Sequence, residues 1–235
     1  MGRLGIVLSL VACILGLCVW AHTAEHPVPL GKNPDQANCV ECHTDKNKGK
    51  YVHSAIAMGC TTCHTLTSES DRTQVNLVSP INQICLTCHE KSTDKVLHGP
   101  SAEGECVACH SPHASDQPDQ LLADRQDLCL GCHARTRLKE NARKKQVTTP
   151  WGVTLTFAQM QGWQYLNLNK TLTANHPVEG HPVTGPNTAL GKDAPDITCL
   201  SCHQPHHSKS KYLMPPNVAN QTALCETCHN PLKLH

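Results

Sequence analysis

Apolar positions are spread unevenly along the 235-residue chain. Leu4 to Val19 form a nearly unbroken apolar run, and no comparable run follows. Farther on, apolar residues recur as isolated pairs. Leu77-Val78 and Leu121-Leu122 each begin eight residues before a cysteine, and Leu213-Met214 stands more distantly before another. Alternation is clear in Val153-Thr154-Leu155-Thr156-Phe157, which predicts a short strand and a hairpin within 147–168.

The leading apolar run reads as an export signal. Arg3 supplies the positive end, and Val19-Trp20-Ala21 offers small residues where a signal peptidase reads, so residues 1–21 are expected to be removed. Two other readings stay open. Leu10-Val11-Ala12-Cys13 matches a lipoprotein box, although Ile14–Trp20 behind it is strongly apolar. An uncleaved anchor would be slightly short for a membrane span. All three send the body outside the cytoplasm, to the periplasm or cell surface, where thiols meet oxidants. Membrane association would then come through partners or an uncleaved or lipidated N-terminus.

Composition changes the picture of the body. Phe, Trp and Tyr together number seven, against sixteen Cys and seventeen His. So few large apolar side chains cannot fill the interior of a chain this long. A conventional α/β enzyme domain held by side chains alone is excluded. Disulfides, metal or a bulky cofactor must take the place of the core. The formal net charge of +1 gives no reason to expect a nucleic-acid partner.

The cysteines after position 21 form seven C-x-x-C pairs, each followed at once by His. They are Cys39-Cys42-His43, Cys60-Cys63-His64, Cys85-Cys88-His89, Cys106-Cys109-His110, Cys129-Cys132-His133, Cys199-Cys202-His203 and Cys225-Cys228-His229. On a helical turn, two thiols three positions apart can each add to a haem vinyl group. The next residue then lies beneath the iron, where imidazole is a good axial ligand. Disulfides give no reason for a His after every pair, and zinc needs four ligands in a different spacing. The expectation is seven covalently bound haem c groups.

Each iron has a second axial position. Ten His lie outside the motifs: His22, His26, His53, His98, His113, His176, His181, His206, His207 and His235. Beyond the signal segment only Met58, Met160 and Met214 remain as thioether candidates. Supply therefore favours two His on every iron, which places the haems low on the redox scale. Internal repetition narrows the choice. His53 and His98 precede Cys60 and Cys106 by seven and eight residues. In Cys106-Val-Ala-Cys109-His110-Ser-Pro-His113 and Cys199-Leu-Ser-Cys202-His203-Gln-Pro-His206, a second His follows the first by three. His26, His176 and His181 share a following Pro-Val. The distal candidates are thus His26, His53, His98, His113, His181 and His206, with His176 as the seventh and His207 close behind. His22 and His235, near the ends, are left unassigned. Thr67 stands where His113 and His206 stand, so the first two-haem module lacks one local ligand, and His176 is nominated to make it good. The implied organisation is a single-haem segment over 22–52, two-haem modules over 53–97, 98–134 and 176–235, and a haem-free insert over 135–175.

These residues resemble the multihaem cytochromes c with doubled C-x-x-C-H motifs. The likeness rests on His98…Cys106-Cys109-His110…His113…Cys129-Cys132-His133 and its counterpart from His181 to His229. It implies mainly coil with short α-helices wrapped around stacked c-type haems and little β structure. It also implies electron transfer in anaerobic or extracellular respiration, with partners such as quinol-oxidising or outer-membrane cytochromes. Competing readings are a reductase of nitrite, hydroxylamine or a sulfur oxide with one open iron, and a subunit of a porin–cytochrome conduit or cytochrome filament. The His supply favours the carrier, with no catalytic residue.

The insert opens with Arg135, Arg137, Lys139, Arg143, Lys144 and Lys145 and carries the aromatics Trp151, Phe157, Trp163 and Tyr165. It reads either as a basic docking surface beside exposed aromatics, or as a solvated helix ahead of a small buried aromatic cluster. Aromatics this scarce favour the second.

Overall fold

Secondary structure is short and sparse, and much of the chain is irregular. The computed structural model describes residues 25–27, 30, 36–69, 72–134, 137–160 and 180–229. The signal segment 1–21, His22, Arg135, Trp163, Tyr165, His176 and His235 lie outside the described residues. Five short helices are described: α1 (Gln36–Cys42), α2 (Ile81–Ile84), α3 (Gly99–Glu103), α4 (Arg125–His133) and α5 (Gln221–His229). The strands are β1 (Glu25–His26), β2 (Tyr51–Val52), β3 (His64–Glu69), β4 (Arg72–Leu77), β5 (Val96–Leu97), β6 (Ala114–Ser115), β7 (Lys139–Asn141), β8 (Gln146–Thr148), β9 (Thr154–Thr156) and β10 (His207–Ser208). No helix among the described residues is long and apolar enough to cross a membrane.

The small sheets are all antiparallel and act as staples between distant segments. In the order β1-β4-β3, the first ties the N-terminal arm to the first two-haem stretch. Thr73, fully buried on β4, accepts a hydrogen bond from the Leu30 amide at 2.9 Å and so anchors that arm. Two further ladders repeat one design. β2 pairs with β6, placing Val52 opposite Ala114, and β5 pairs with β10, placing Leu97 opposite His207. In each, the amide of the next residue extends the ladder: His53 N donates to His113 O at 2.7 Å, and His98 N to His206 O at 2.8 Å. Each two-residue ladder therefore ties the segment just ahead of one motif to the segment just behind a later one.

Among the described residues, one cluster of buried apolar side chains forms. Ala108, Val147, Leu155 and Met160 form a buried cluster, with Cys109, Leu138 and Val153 against it. It is built by the insert, a three-stranded sheet in the order β7-β8-β9. The hairpin expected over 147–168 is present as β8–β9, but the basic segment ahead of it is strand β7 and a turn instead of a helix. The reason is local: Val147 at 6% exposure and Leu155 at 2% need a facing pair of strands to be buried together, and they pair directly across β8–β9. Elsewhere apolar side chains near the cysteines stand open, including Met58, Val78, Ile81 and Leu86.

Candidate haem attachment and ligation sites

The attachment motifs are helical turns, except that in the second a short turn over Cys60–Thr62 leads into His64 at the start of β3. His43, His89, His110 and His203 donate their amides to the carbonyls of Cys39, Cys85, Cys106 and Cys199, at 2.9 to 3.0 Å. The i to i−4 bond stacks each His one turn beyond the first Cys, and the two Cys, three apart, share a side. The fifth and seventh motifs end α4 and α5, each closing on its His. Asp124 caps α4 by accepting from the Gln126 amide at 2.9 Å. All fourteen motif cysteines are unbridged.

Among the described residues, six motif His rings have a second imidazole beside them. The pairs and their ring-centre separations are His43–His26 (5.8 Å), His64–His113 (6.2 Å), His89–His53 (6.1 Å), His110–His206 (5.9 Å), His133–His98 (6.0 Å) and His229–His181 (6.1 Å). Two imidazoles bound on opposite sides of one iron, with bonds of about 2 Å and ring centres about 1.1 Å behind the nitrogens, stand about 6.2 Å apart. The separations thus leave room for one metal atom between each pair. Among the described residues no three His, Cys, Asp or Glu side chains converge as a bare metal site would need. Fourteen unbridged thiols, imidazoles at this spacing and open apolar side chains beside the motifs fit a flat apolar macrocycle that carries its own iron.

The pairing crosses between stretches. The upstream His of each two-haem stretch (His53, His98, His181) faces the second motif of that same stretch. His113 and His206 reach backwards, to the first motif of the preceding stretch. Nothing is therefore missing at Thr67: the segment from His64 becomes strand β3, and the haem site behind it, at His43, already faces His26. His207 turns elsewhere and donates from Nδ1 to Asp94 at 2.7 Å. Met160 lies in the side-chain cluster and Met58 is exposed.

Backbone carbonyls orient the rings. His110 Nδ1 donates to Asp119 O at 2.7 Å, and His203 Nδ1 to Tyr212 O at 2.8 Å. That leaves Nε2 as the free ligating nitrogen. Both carbonyls sit in matching turns with two consecutive left-handed residues, Asp119-Gln120 and Tyr212-Leu213. A bulky residue such as Tyr212 at φ 63° is strained, and strain of this kind persists only where surroundings impose it. The proline carbonyls of the two H-x-P-H segments do the same for the opposite rings: His53 Nδ1 donates to Pro112 O at 3.1 Å, and the His98 ring hydrogen-bonds the Pro205 backbone. These oriented carbonyls carry no side-chain signal in the sequence beyond the repeated Pro-His.

Burial pushes the His98, His113 and His206 imidazoles below their ordinary range. His133 is pushed down to about 4, by burial and then by His98 and His203 nearby. The neutral form so favoured is the one that binds iron. Burial raises some of the thiols, Cys109 to about 12 and Cys85, with Cys106 beside it, to about 11, whereas a hydrogen bond with Cys129 lowers Cys199 to about 7. A thiol kept protonated resists stray oxidation. Cys85–Cys106, and likewise Cys129–Cys199, bring the last motif of one stretch against the first motif of the next.

Paired thiols on a turn, six of them with a couple of imidazoles alongside, define a class: proteins that bind several haems covalently. The family comparison agrees, with residues 53–94, 98–138 and 192–234 each matching the doubled CXXCH motif family. Together these stretches exceed half of the chain, which belongs to that family as a multihaem cytochrome c that binds haem through its CXXCH motifs. Among curated relatives, the chain is 36% identical over 194 residues to the multiheme cytochrome MtrA of Shewanella baltica, covering 71% of this chain and 52% of that protein. It is 27% identical over 145 residues to the cytochrome c-type protein NrfB of Escherichia coli O6:H1, covering 52% of this chain and 77% of that one. The chain thus spans about half the length of the MtrA relative. No solved structure matches significantly.

Proposed function

We propose that the protein is an exported heptahaem electron carrier in which every iron is held between two His. The single observation that supports this most is the set of six facing imidazole couples at 5.8–6.2 Å, each joining one motif His to one non-motif His. For the seventh iron, at His203, we assign His176, the seventh distal candidate of the sequence. Bound haem supplies a one-electron iron couple of low potential when both axial ligands are imidazole. The chain's own part is to hold the rings. Cysteine pairs would hold each macrocycle, and the ring hydrogen bonds of His110, His203 and His53 through Nδ1 to the Asp119, Tyr212 and Pro112 carbonyls, and of His98 to the Pro205 backbone, would orient the imidazoles toward the iron. Filling both axial positions keeps substrate off the iron, which suits a carrier better than a reductase.

Export by residues 1–21 places the carrier in the periplasm or at the cell surface, exchanging electrons with other redox proteins there. The module boundaries 22–52, 53–97, 98–134 and 176–235, with the insert 135–175, complete the reading. Mass spectrometry tests the count: the mature protein should weigh its polypeptide plus seven haems of about 616 Da each. Five or fewer would refute it. Electron paramagnetic resonance of the same sample should show low-spin ferric iron throughout.

A further inference from the structure

We propose that Trp151 is a positioning residue that sets the spacing between the fourth and fifth haem attachment turns. The inference rests on the reading that Cys106/Cys109 and Cys129/Cys132 carry haem. Hairpin β8–β9 turns through Thr149-Pro150-Trp151-Gly152-Val153. Buried Thr149 holds the turn closed, donating to Val153 O at 3.2 Å and accepting from its amide at 3.1 Å. Gly152 at φ 86° makes the reversal. The turn thrusts one side chain into the two-haem stretch. Trp151 Nε1 donates to Ala108 O at 3.1 Å, and Ala108 lies inside the fourth motif. The far edge of the same indole lies on Gly131, inside the fifth motif. A Cβ built on Gly131 would overlap Trp151 Cη2 and Cζ3. One flat ring with two torsions therefore touches both attachment turns at once.

The support behind the ring is the one side-chain cluster of the described residues. Val147, Leu155 and Met160 back the hairpin. A second tether, Gln159 Nε2 to Glu105 Oε1 at 2.7 Å, ends on the residue before Cys106. Insert and fourth attachment turn thus move as one body, and Gly131 lets the fifth turn seat against it. A spacer of this kind fixes how closely two macrocycles approach and how much water reaches them, and burial is one of the levers on haem potential.

The test uses the holoprotein and the variants W151F, W151A and G131A. Mass spectrometry first counts the covalent haems, and proton NMR then reads the hyperfine-shifted haem methyl resonances, assigned haem by haem. All variants should keep seven haems. W151A and G131A should shift the resonances and midpoint potentials of the fourth and fifth haems and leave the other five in place. W151F, which keeps the ring's bulk but not its N–H, should shift the same two sets by less. Seven haems with the fourth and fifth sets unmoved in both W151A and G131A would overturn the proposal. So would equal disturbance of all seven sets, the mark of general loosening. Absence of haem from Cys106/Cys109 or Cys129/Cys132 in the unaltered protein would instead remove the reading underneath.

Discussion

Two regions of the molecule are built on different physics. The insert, 137–160, holds itself with side chains: Val147 and Leu155 meet across a ladder, Met160 closes the cluster, and Trp151 plugs the gap to α4. The motif-bearing segments bury much less, Val218 and Leu224 being among their few closed-off apolar side chains. Apart from the β3–β4 hairpin, their staples are ladders two residues long, and Met58, Ile81 and Leu86 lie open beside the cysteines. Two-residue ladders are far below what is stable alone in water. The difference teaches that stability here is mostly borrowed from the bound group, except at the insert.

The largest break in that comparison comes from withholding haem. Expressed without a cytochrome c maturation system, the chain should be unfolded and rapidly digested, with little amide protection along 36–134 and 180–229. A protease-resistant apoprotein would show that side chains suffice after all.

Next in size are the axial ligands. His113→Ala should turn one haem high-spin, and that haem should be the one at Cys60-Cys63-His64, although His113 stands three residues from His110. His206→Ala should likewise open the site at His110. Haem-resolved NMR distinguishes these from the local alternative, in which His113→Ala opens His110 itself.

A smaller, confined effect is expected in the insert. Leu155→Ala should cost about 2–4 kcal/mol of local stability by leaving a cavity, read as lost amide protection over 146–156. The haem count and spin states should not change, because no axial ligand leans on Leu155. The exposed ion pair between Arg137 and Asp127, at 2.6 Å, sets the bottom of the scale. Arg137→Ala should change thermal stability by no more than about 0.5 kcal/mol.

Much of the candidate site was legible because its chemistry is local. Cys-x-x-Cys-His is a covalent instruction written within five residues, and the repeated Pro-His segments single out His113 and His206 by position alone. Which ring faces which was not legible. It depends on two-residue ladders, β2–β6 and β5–β10, that join segments some 60 and 110 residues apart with no periodic pattern to announce them. The exchange misled the sequence reading into placing the missing ligand in the first module, where Thr67 lies on β3. The turns at Asp119 and Tyr212 were invisible for a related reason, since a carbonyl's direction leaves no side-chain trace. In the insert, alternation at Val153–Phe157 gave the strand, but the run of Lys and Arg concealed β7, whose partner β8 is held by burial of Val147 and not by propensity.

The central claim is that no iron has an open axial position, and carbon monoxide tests it most directly. An imidazole held by a backbone hydrogen bond in a packed site must leave before the gas can bind, whereas an open ferrous iron binds it at once. The fully reduced protein, titrated with carbon monoxide, should keep its Soret band essentially unchanged. Binding of one equivalent per protein would contradict the account and expose an iron free for substrate.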